Sequence, residues 1–251
     1  MTATQVVAAL ELPAAARVDQ RVPKSLLLEH GATTAADKRL IQDGVEEIRW
    51  LAALKPTTVG VPAYRDDNRE YLEVAILSTK FRSGAKASRL AELIHRAVPY
   101  PVLLVATVGE RVAVSLAHKR WSQGEVGATV LDGELVLANI GDAPQMATMA
   151  FAAALPLSRQ PNLHLRALYQ GWMDTTVALL AASVTGAFIV LETPERAAAR
   201  LEALRACARL DVEMARLRSA AAKEKQLARQ VELNLKLKSL QRERAEAQAR
   251  M

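Results

Sequence analysis

QVELNLKLKSL, residues 230–240, is the stretch that decides how the C-terminal quarter of this chain folds. Its apolar residues alternate with polar ones, which is the period-two pattern of a half-buried β-strand. The same stretch lies in a long run of Ala, Arg, Lys, Glu and Leu, and neither Gly nor Pro occurs from Glu195 to Met251. Because that composition and the missing helix breakers are typical of a helix, we predict that the stretch is helical.

The predicted helix has a clear start signal. Thr193 is a suitable N-cap, Pro194 stands at the first helical position, and Glu195 suits the positive end of the helix dipole. One helix from Pro194 to Arg250 would span roughly 85 Å at about 1.5 Å per residue. A helix of that length has to project from the rest of the chain or pair with another helix.

Placed on a helix at about 100° per residue, the opening stretch has apolar residues on two opposite faces. One face continues a heptad-like seam formed by Ala203, Cys207, Leu210, Met214, Leu217, Ala221, Ala228, Val231 and Leu235, with Leu227 beside it. The other face is formed by Leu233, Leu237 and Leu240. Since each apolar face needs a neighbour, we predict that this end is sandwiched in a helical bundle, with copies of the chain or with a partner. The predicted partner-binding residues are Leu210, Met214, Leu217, Val231, Leu233, Leu235, Leu237 and Leu240.

The net charge of the chain is concentrated in the same segment. From Glu195 onward there are 14 Lys and Arg against 8 Asp and Glu, so the whole excess of +6 lies there. Arg209, Arg216 and Lys223 recur every seven residues as a basic row that could follow phosphates, although a solvated face with i,i+4 ion pairs is the alternative. The candidate nucleic-acid contacts are Arg209, Arg216, Arg218, Lys223, Lys225 and Arg229, together with Lys119, Arg120 and Trp121.

The remaining composition indicates a cytoplasmic protein. The only cysteine is Cys207, so no disulfide forms within the chain, and the N-terminus has no basic region typical of a signal peptide. The 17 uncharged residues between Asp174 and Glu192 are at the lower limit for a membrane span. Because they include several Thr and a Gly, we expect a buried helix followed by a short extended piece instead.

Helix and strand patterns alternate through the first 145 residues. Helices are predicted at 35–54, from the apolar spacing that ends at Pro56, and at 87–98. Strands are predicted in TTVGVPAY (57–64) and EYLEVAILS (70–78) around the turn RDDNR, in YPVLLVATVG (100–109), in RVAVSLAHKRW (111–121), and in a hairpin within GATVLDGELVLANI (127–140) that turns at Asp132-Gly133. Helices follow in MATMAFAAAL (146–155) and NLHLRALYQGWMDTTVALLAASV (162–184).

These patterns predict an α+β fold, with a mixed β-sheet body, packed helices and a long C-terminal α-helix of coiled-coil type. The predicted domains are a mixed α/β domain at 1–145, a helical connector at 146–192 and a long basic amphipathic helix at 193–251.

Six stretches together resemble a bacterial family known as domain of unknown function 4391: VPKSLLLEHG, EEIRWLAALKPTTVGVPA, EYLEVAIL, AELIHRAVPYPVLLVA, LAHKRW and KEKQLARQVELNLKLKSL. Genes of this family often lie beside DNA methyltransferase and helicase genes, so the resemblance implies an accessory in a restriction or antiphage defence system. The positions that match the family's pattern are Pro23, Lys24, Trp50, Pro56, Pro99, Lys119, Glu232 and Asn234. No catalytic role carries over to any of them.

Catalytic motifs are missing from the sequence. It contains no phosphate-binding Gly-rich loop, zinc-ligand spacing, GxSxG elbow or HExxH, so we predict no catalytic, cofactor-binding or metal-binding residue. The nearest approach to a nuclease site is RDDNREYLEVAILSTK, whose charged residues are Asp66, Asp67, Glu70, Glu73 and Lys80. Because the usual acidic-x-Lys triplet is absent, a solvated turn is the favoured interpretation.

Histidines and tryptophans offer weaker signals. His95, and His118 beside Lys119 and Arg120, could contribute to a phosphate site, but an exposed, solubilising strand end is the simpler interpretation of the cluster. Trp50 and Trp172 lie on apolar faces and are interpreted as core anchors. Trp121 is kept as a possible base-stacking residue.

Three functions are therefore carried forward. The first is a non-enzymatic accessory or scaffolding subunit of a DNA-targeting defence or restriction-modification-like system. It would assemble through its C-terminal helix with itself or with a helicase or methyltransferase subunit. The second is a nucleic-acid-binding module that uses the basic helix to contact DNA. The third is a cryptic metal-dependent nuclease.

Overall fold

Eight strands and nine helices are assigned in the computed structural model, which describes residues 1–125, 127–191 and 193–251. The strands are β1 (Arg17–Arg21), β2 (Val45–Leu54), β3 (Tyr64–Arg65), β4 (Glu70–Tyr71), β5 (Val74–Phe81), β6 (Val102–Val108), β7 (Arg111–Trp121) and β8 (Thr129–Asn139). The helices are α1 (Ala3–Ala9), α2 (Lys24–His30), α3 (Ala35–Gly44), α4 (Pro56–Val59), α5 (Ala87–Ala97), α6 (Gln145–Ala154), α7 (Leu165–Thr185), α8 (Pro194–Lys223) and α9 (Leu227–Gln248).

The chain divides into two compact units, Met1–Leu180 and Ala181–Met251. The predicted α+β class, with a mixed sheet and a long C-terminal helix, is confirmed, and that helix is in two pieces. The predicted domain limits at 145 and 192 stay predictions, and Glu192 lies outside the described residues. Among the described residues, no helix combines the length and the apolar character needed to cross a bilayer.

A six-stranded sheet in the order β1-β2-β5-β6-β7-β8 organises the first unit. The predicted central strand is confirmed as β6, whose residues 102–106 are all buried. It pairs in parallel with β5, reached through the crossover helix α5, and antiparallel with β7, reached through the predicted turn at Gly109. A strand whose two faces are both covered reads as a continuous apolar run, which is why it was visible in the sequence.

The core of this unit lies between the sheet and α5. The helix buries Leu90, Leu93 and Ile94 against residues of β2, β5 and β6. Later in the chain, Trp172 of α7 is fully buried and its indole N–H donates to the Leu155 carbonyl at 2.9 Å. Trp172 is thus a core anchor, as predicted. Trp50 packs against the same core as α5, but from strand β2 and not from a helix.

The prediction of one helix over 35–54 is wrong in its second half. The helix ends at Gly44, and Val45–Leu54 form β2, which pairs antiparallel with β1 and β5. The register of β2 against β5 shifts between Val45 and Glu47 and again between Trp50 and Ala52. These irregularities break the strict alternation of a strand, so the buried residues of β2 mimic helical spacing.

Two further strand predictions need correction. Within 57–64, the first residues form the short helix α4 that begins at Pro56, and the hairpin around RDDNR is reduced to two residues in each of β3 and β4. Residues 127–140 contain no hairpin turn at Asp132-Gly133, because 129–139 form the single strand β8 along β7. The register of that pair shifts between Leu116 and His118, and Gly133 adopts a φ of +87° at this irregularity. The glycine serves a bulge here and not a turn.

In the second unit, the predicted single helix is interrupted. Helix α8 ends at Lys223, residues 224–226 form a turn, and α9 returns along α8 as an antiparallel hairpin. The predicted start at Pro194 and the helical state of residues 230–240 are confirmed. The 85 Å rod is therefore replaced by two helices that cover each other, because pairing buries the apolar side chains that a lone helix would leave in water.

Candidate functional site

Contacts along the C-terminal hairpin fix its antiparallel register. Cys207 Sγ donates to the Arg244 carbonyl at 3.7 Å, and the side chain of Gln230 donates to the Ala221 carbonyl at 3.4 Å. As the residue number rises along α8, the number of its neighbour on α9 falls. Burial raises the pKa of the Cys207 thiol, so this side chain is a packed seam residue, as its position predicted.

The inner face of the hairpin is apolar. Met214, Leu217 and Leu237 are buried, and Leu233 and Leu240 pack against them partly exposed. All five were predicted to bind a partner, and the structure instead packs them against each other between α8 and α9 of the same hairpin. Leu210 is half-buried on α8. One of the two apolar faces predicted for the 230–240 stretch is therefore satisfied within the chain.

The second apolar face of α9 is left open. Leu227, Val231 and Leu235 are 75%, 51% and 65% exposed, and we call these three residues the outer row. They recur at spacings of four and so follow one side of the helix, away from Leu237. Three adjacent aliphatic side chains are thus exposed to water, and binding to another surface would bury them.

Glu224 shapes the turn between the two helices. Its carboxylate Oε1 accepts hydrogen bonds from the backbone N–H groups of Lys225 and Gln226, at 2.8 and 2.9 Å. The bond from Gln226 is the main reason why the pKa of Glu224 is lowered. A carboxylate at this place also faces the positive end of the α9 dipole. The turn thus has a polar cap although it contains neither Gly nor Pro.

Arg200 anchors the far end of the hairpin. Its guanidinium is buried and donates from Nε to the backbone carbonyl of Met251 at 3.1 Å, and from a terminal nitrogen to the Ile189 carbonyl. Burial lowers the pKa of this arginine. Because its donors are directed at backbone oxygens, Arg200 ties the start of α8 to the last residue of the chain.

The predicted nucleic-acid contacts fall into two groups. On the hairpin, the basic row Arg209, Arg216 and Lys223 is exposed, and Arg216 lies 3.9 Å from Glu213. Arg218 and Lys225 are also exposed, and Arg229 lies 3.7 Å from Glu224. These side chains remain available to phosphates.

The second group, on β7, is engaged in the first unit. Lys119 is buried, and its ammonium donates to the carbonyls of His95 and Val98 at the end of α5. Arg120 is half-buried, donates to the Trp121 carbonyl and lies 3.9 Å from Asp132. Trp121 is half-buried as well. The interpretation of this cluster as an exposed strand end is wrong, because the strand packs under α5.

A partly buried chain of hydrogen-bonded polar residues includes His118. Tyr71 lies 2.5 Å from His118 Nδ1, His118 Nε2 lies 2.8 Å from Gln170 Oε1, and Gln170 donates to Asp174 at 2.8 Å. Burial lowers the pKa of His118 to about 4. These residues come from β4, β7 and α7, so no local motif in the sequence could reveal the group. Its hydrogen bonds are satisfied internally, which makes it a packing element of the first unit.

The residues of the predicted nuclease alternative are not brought together. Glu73 is buried beside Lys55 at 3.1 Å, Lys80 contacts Glu46 at 2.7 Å, and Asp66 accepts from Tyr64 at 2.7 Å. Asp67 is exposed. Over residues 1–125, 127–191 and 193–251, no three His, Cys, Asp or Glu side chains converge on a point where a metal ion could be held.

A cavity of about 330 Å³ lies in the first unit beside α2. Its walls are mainly apolar and include Leu26, Ile48, Leu77 and Tyr100, together with Pro23, Trp50 and Pro99, which are positions that match the family's pattern. Sequence spacing gave no sign that these three positions meet, because they come from separate parts of the chain.

Comparison with known proteins gave one result. A search of curated proteins and a search of solved structures found no match. The profile of the family described as domain of unknown function (DUF4391) matches residues 10–243, which is nearly the whole chain. The match includes the central sheet and most of the C-terminal hairpin, and so agrees with the resemblance seen in the sequence. The chain therefore belongs to the DUF4391 family.

Proposed function

We propose that this protein is a non-enzymatic accessory subunit that assembles through its C-terminal hairpin. It would act in the cytoplasm, as part of a bacterial DNA-targeting defence or restriction-modification-like system. The observation that carries the proposal is the exposed outer row of α9, Leu227, Val231 and Leu235. The defence setting rests on the family resemblance and on the neighbouring genes that it implies.

The hairpin is suited to assembly because its own core does not include the outer row. Its inner face is filled by Met214, Leu217 and Leu237, so the outer row can bind another surface without exposing the core of the hairpin. Rows of aliphatic residues at helical spacing are the usual anchors of helix-mediated contacts.

The proposal is tested with the full-length chain and two variants. Leu235→Glu places a charge in the outer row, and Ser219→Glu adds the same charge at an exposed position of α8 as the matched control. Each protein is purified alone, and each is also co-expressed with any helicase or methyltransferase subunit found encoded beside its gene, since the family resemblance implies such neighbours. Assembly size and co-purification are then measured by light scattering and by affinity capture.

We expect Leu235→Glu to lose the self-association or the subunit binding that the wild-type chain and Ser219→Glu retain. The reason is that burying an unpaired carboxylate costs several kcal/mol, on the order of the stability of a small interface. Equal assembly size and equal capture for all three proteins would show that the outer row is not an assembly surface.

A second candidate function, nucleic-acid binding, is favoured by the exposure of Arg209, Arg216 and Lys223 along α8. If these residues neutralise phosphates, changing all three to Gln lowers the slope of log affinity against log salt by about 3. The control removes three exposed cations of the first unit by changing Arg17, Arg21 and Lys38 to Gln. Absence of DNA affinity in the wild-type chain at low salt would dismiss this candidate.

A further inference from the structure

The outer row is symmetric about Val231, which a contact with an unrelated protein does not require. Its sequence is Leu, Val, Leu at equal spacing, so it reads the same in both directions from Val231. We propose that a second copy of this chain covers the outer row, with α9 packed antiparallel on α9 around a twofold axis at Val231. This inference rests on the proposed function and names the partner in it.

A twofold axis at Val231 satisfies every member of the row. Val231 meets its own counterpart, and Leu227 of each copy lies opposite Leu235 of the other. Such a contact is self-complementary, as the isologous interfaces of twofold dimers have to be. A single patch thereby supplies both sides of the interface, and all three exposed aliphatic side chains leave the solvent.

Charges near the row agree with this arrangement. Glu224 and Lys238 lie equally far from Val231 along the sequence, at opposite ends of the outer row, and carry opposite charges, so antiparallel packing places the Glu224 end of each copy beside the Lys238 end of the other. Oε1 of Glu224 is used by the turn, whereas Oε2 lies 3.7 Å from Nε of Arg229. A Lys238 ammonium from the second copy can therefore approach Oε2 and add an opposite-charge contact.

The immediate neighbours of the row do not oppose self-association. Ala228, Gln230 and Asn234 are uncharged, and the exposed Glu232, beside Val231, would lie near the uncharged Gln230 of the second copy. Lys236, a cation of the same helix, lies 3.9 Å from Glu213 on α8 and so has an acid inside its own hairpin. Two copies of this surface consequently meet with few like charges in contact at the three aliphatic residues of the row.

The arrangement also satisfies both apolar faces of α9. Leu237 packs against α8 of the same chain, and Leu235 would pack against α9 of the second copy. The two hairpins then form a four-helix bundle in which the two α9 helices lie at the centre. This is the sandwich that the alternation in residues 230–240 requires.

The test uses cysteine pairs in the full-length chain. Cys207 is first changed to Ser to give a background without thiols, and Val231→Cys is introduced into it. Ser219→Cys at an exposed position of α8 is the matched control. With a short bis-maleimide linker, we expect a covalent dimer for Val231→Cys and little for Ser219→Cys. Helical content by circular dichroism confirms that each variant is folded.

The direction of packing is tested with Leu227→Cys and Leu235→Cys in the same background. In the antiparallel pair, the two copies of residue 227 are about 12 Å apart along the helix, whereas residues 227 and 235 lie side by side. An equimolar mixture of the two variants should therefore cross-link at least about fivefold more than either variant alone, since a short linker reaches only neighbouring residues.

The failure of this inference differs from the failure of the proposed function. Residue-227 dimers that exceed the mixed product, or an assembly in which Val231→Cys does not cross-link, would overturn the antiparallel contact and leave helix-mediated assembly standing. The same holds if the wild-type chain is monomeric but binds a helicase or methyltransferase subunit through the outer row. If Leu235→Glu kept both the self-association and the subunit binding of the wild-type chain, the antiparallel contact and the proposed function would both be overturned.

Discussion

Arg244 of α9 forms a two-point ion pair with Asp211 of α8, with Nε 2.6 Å from Oδ1 and a terminal nitrogen 3.2 Å from Oδ2. The pairing holds the pKa of Arg244 above its usual range. Both side chains are partly exposed, so the pair contributes roughly 1 kcal/mol or less. Its value is geometric, because a two-point contact admits one register of the helices and thereby fixes which side of α9 is turned outward.

Leu237→Ala should destabilise the hairpin, whereas Leu235→Ala should not. Leu237 is buried between α8 and α9, so its truncation leaves a cavity that costs about 2–4 kcal/mol. Leu235 is exposed, and its truncation should change the free energy of unfolding by less than about 0.5 kcal/mol. Urea unfolding followed by helical circular dichroism at low protein concentration measures both. Equal losses would show that the two faces of α9 are wrongly assigned.

Tyr169→Phe should weaken the first unit. The Tyr169 hydroxyl is buried, donates to the Val102 carbonyl at 2.7 Å and accepts from the Ala117 N–H at 2.9 Å. Removing the hydroxyl leaves a buried N–H without its partner, which costs about 1–3 kcal/mol. Tyr100→Phe, at an exposed position, is the control and should stay within about 0.5 kcal/mol in the same unfolding assay. An unchanged free energy of unfolding in Tyr169→Phe would contradict the role given to this hydroxyl between β6 and β7.

Acid should destabilise the fold through two histidines, His95, which is buried, and His118, which is partly buried. Burial lowers the pKa of His95 to about 3 and that of His118 to about 4, whereas both titrate near 6.5 in the unfolded chain. As the pH falls from about 6.5 to 4, the unfolded state binds protons that the folded state refuses. The contribution of the two histidines to the free energy of unfolding should therefore be complete above about pH 6.5. Between about pH 6.5 and 4 the free energy should fall with a slope that approaches two protons.

Variants isolate the contribution of His118 to this pH dependence. Compared with the wild-type chain, His118→Gln should reduce the slope between pH 6.5 and 4 by about one proton. Asp174 acts in the opposite sense because burial raises its pKa, but it is common to all the proteins compared. Urea unfolding at several pH values gives the slopes, and an unchanged slope in His118→Gln would refute the assignment.

The predictable parts of the fold are those whose local sequence pattern matches the final structure. Strand β6 is a continuous apolar run, and α5 has a clean apolar face. Strand β2 was mistaken for a helix because two register shifts against β5 remove its alternation. The turn at 224–226 was missed because its residues permit a helix. The packing of Leu233, Leu237 and Leu240 on α8 decides the matter, and this packing is a long-range effect.

The candidate site was predictable in composition but not in orientation. Helical spacing in residues 230–240 revealed two apolar faces, and it placed Val231 and Leu235 opposite Leu237. It could not tell which face the chain itself covers, since this depends on the register set by Arg244 and Asp211. Leu227, next to the turn, was not among the predicted partner-binding residues and is the most exposed member of the row.

Sedimentation equilibrium of the full-length chain over a concentration series tests the central claim, assembly through the outer row, most directly. The comparison is between the wild-type chain and the double variant Leu227→Glu, Leu235→Glu. We predict that the wild-type chain forms a dimer and that the variant, with unchanged helical content, remains a monomer at concentrations at least about tenfold higher. A variant that dimerises as readily as the wild-type chain would contradict the claim.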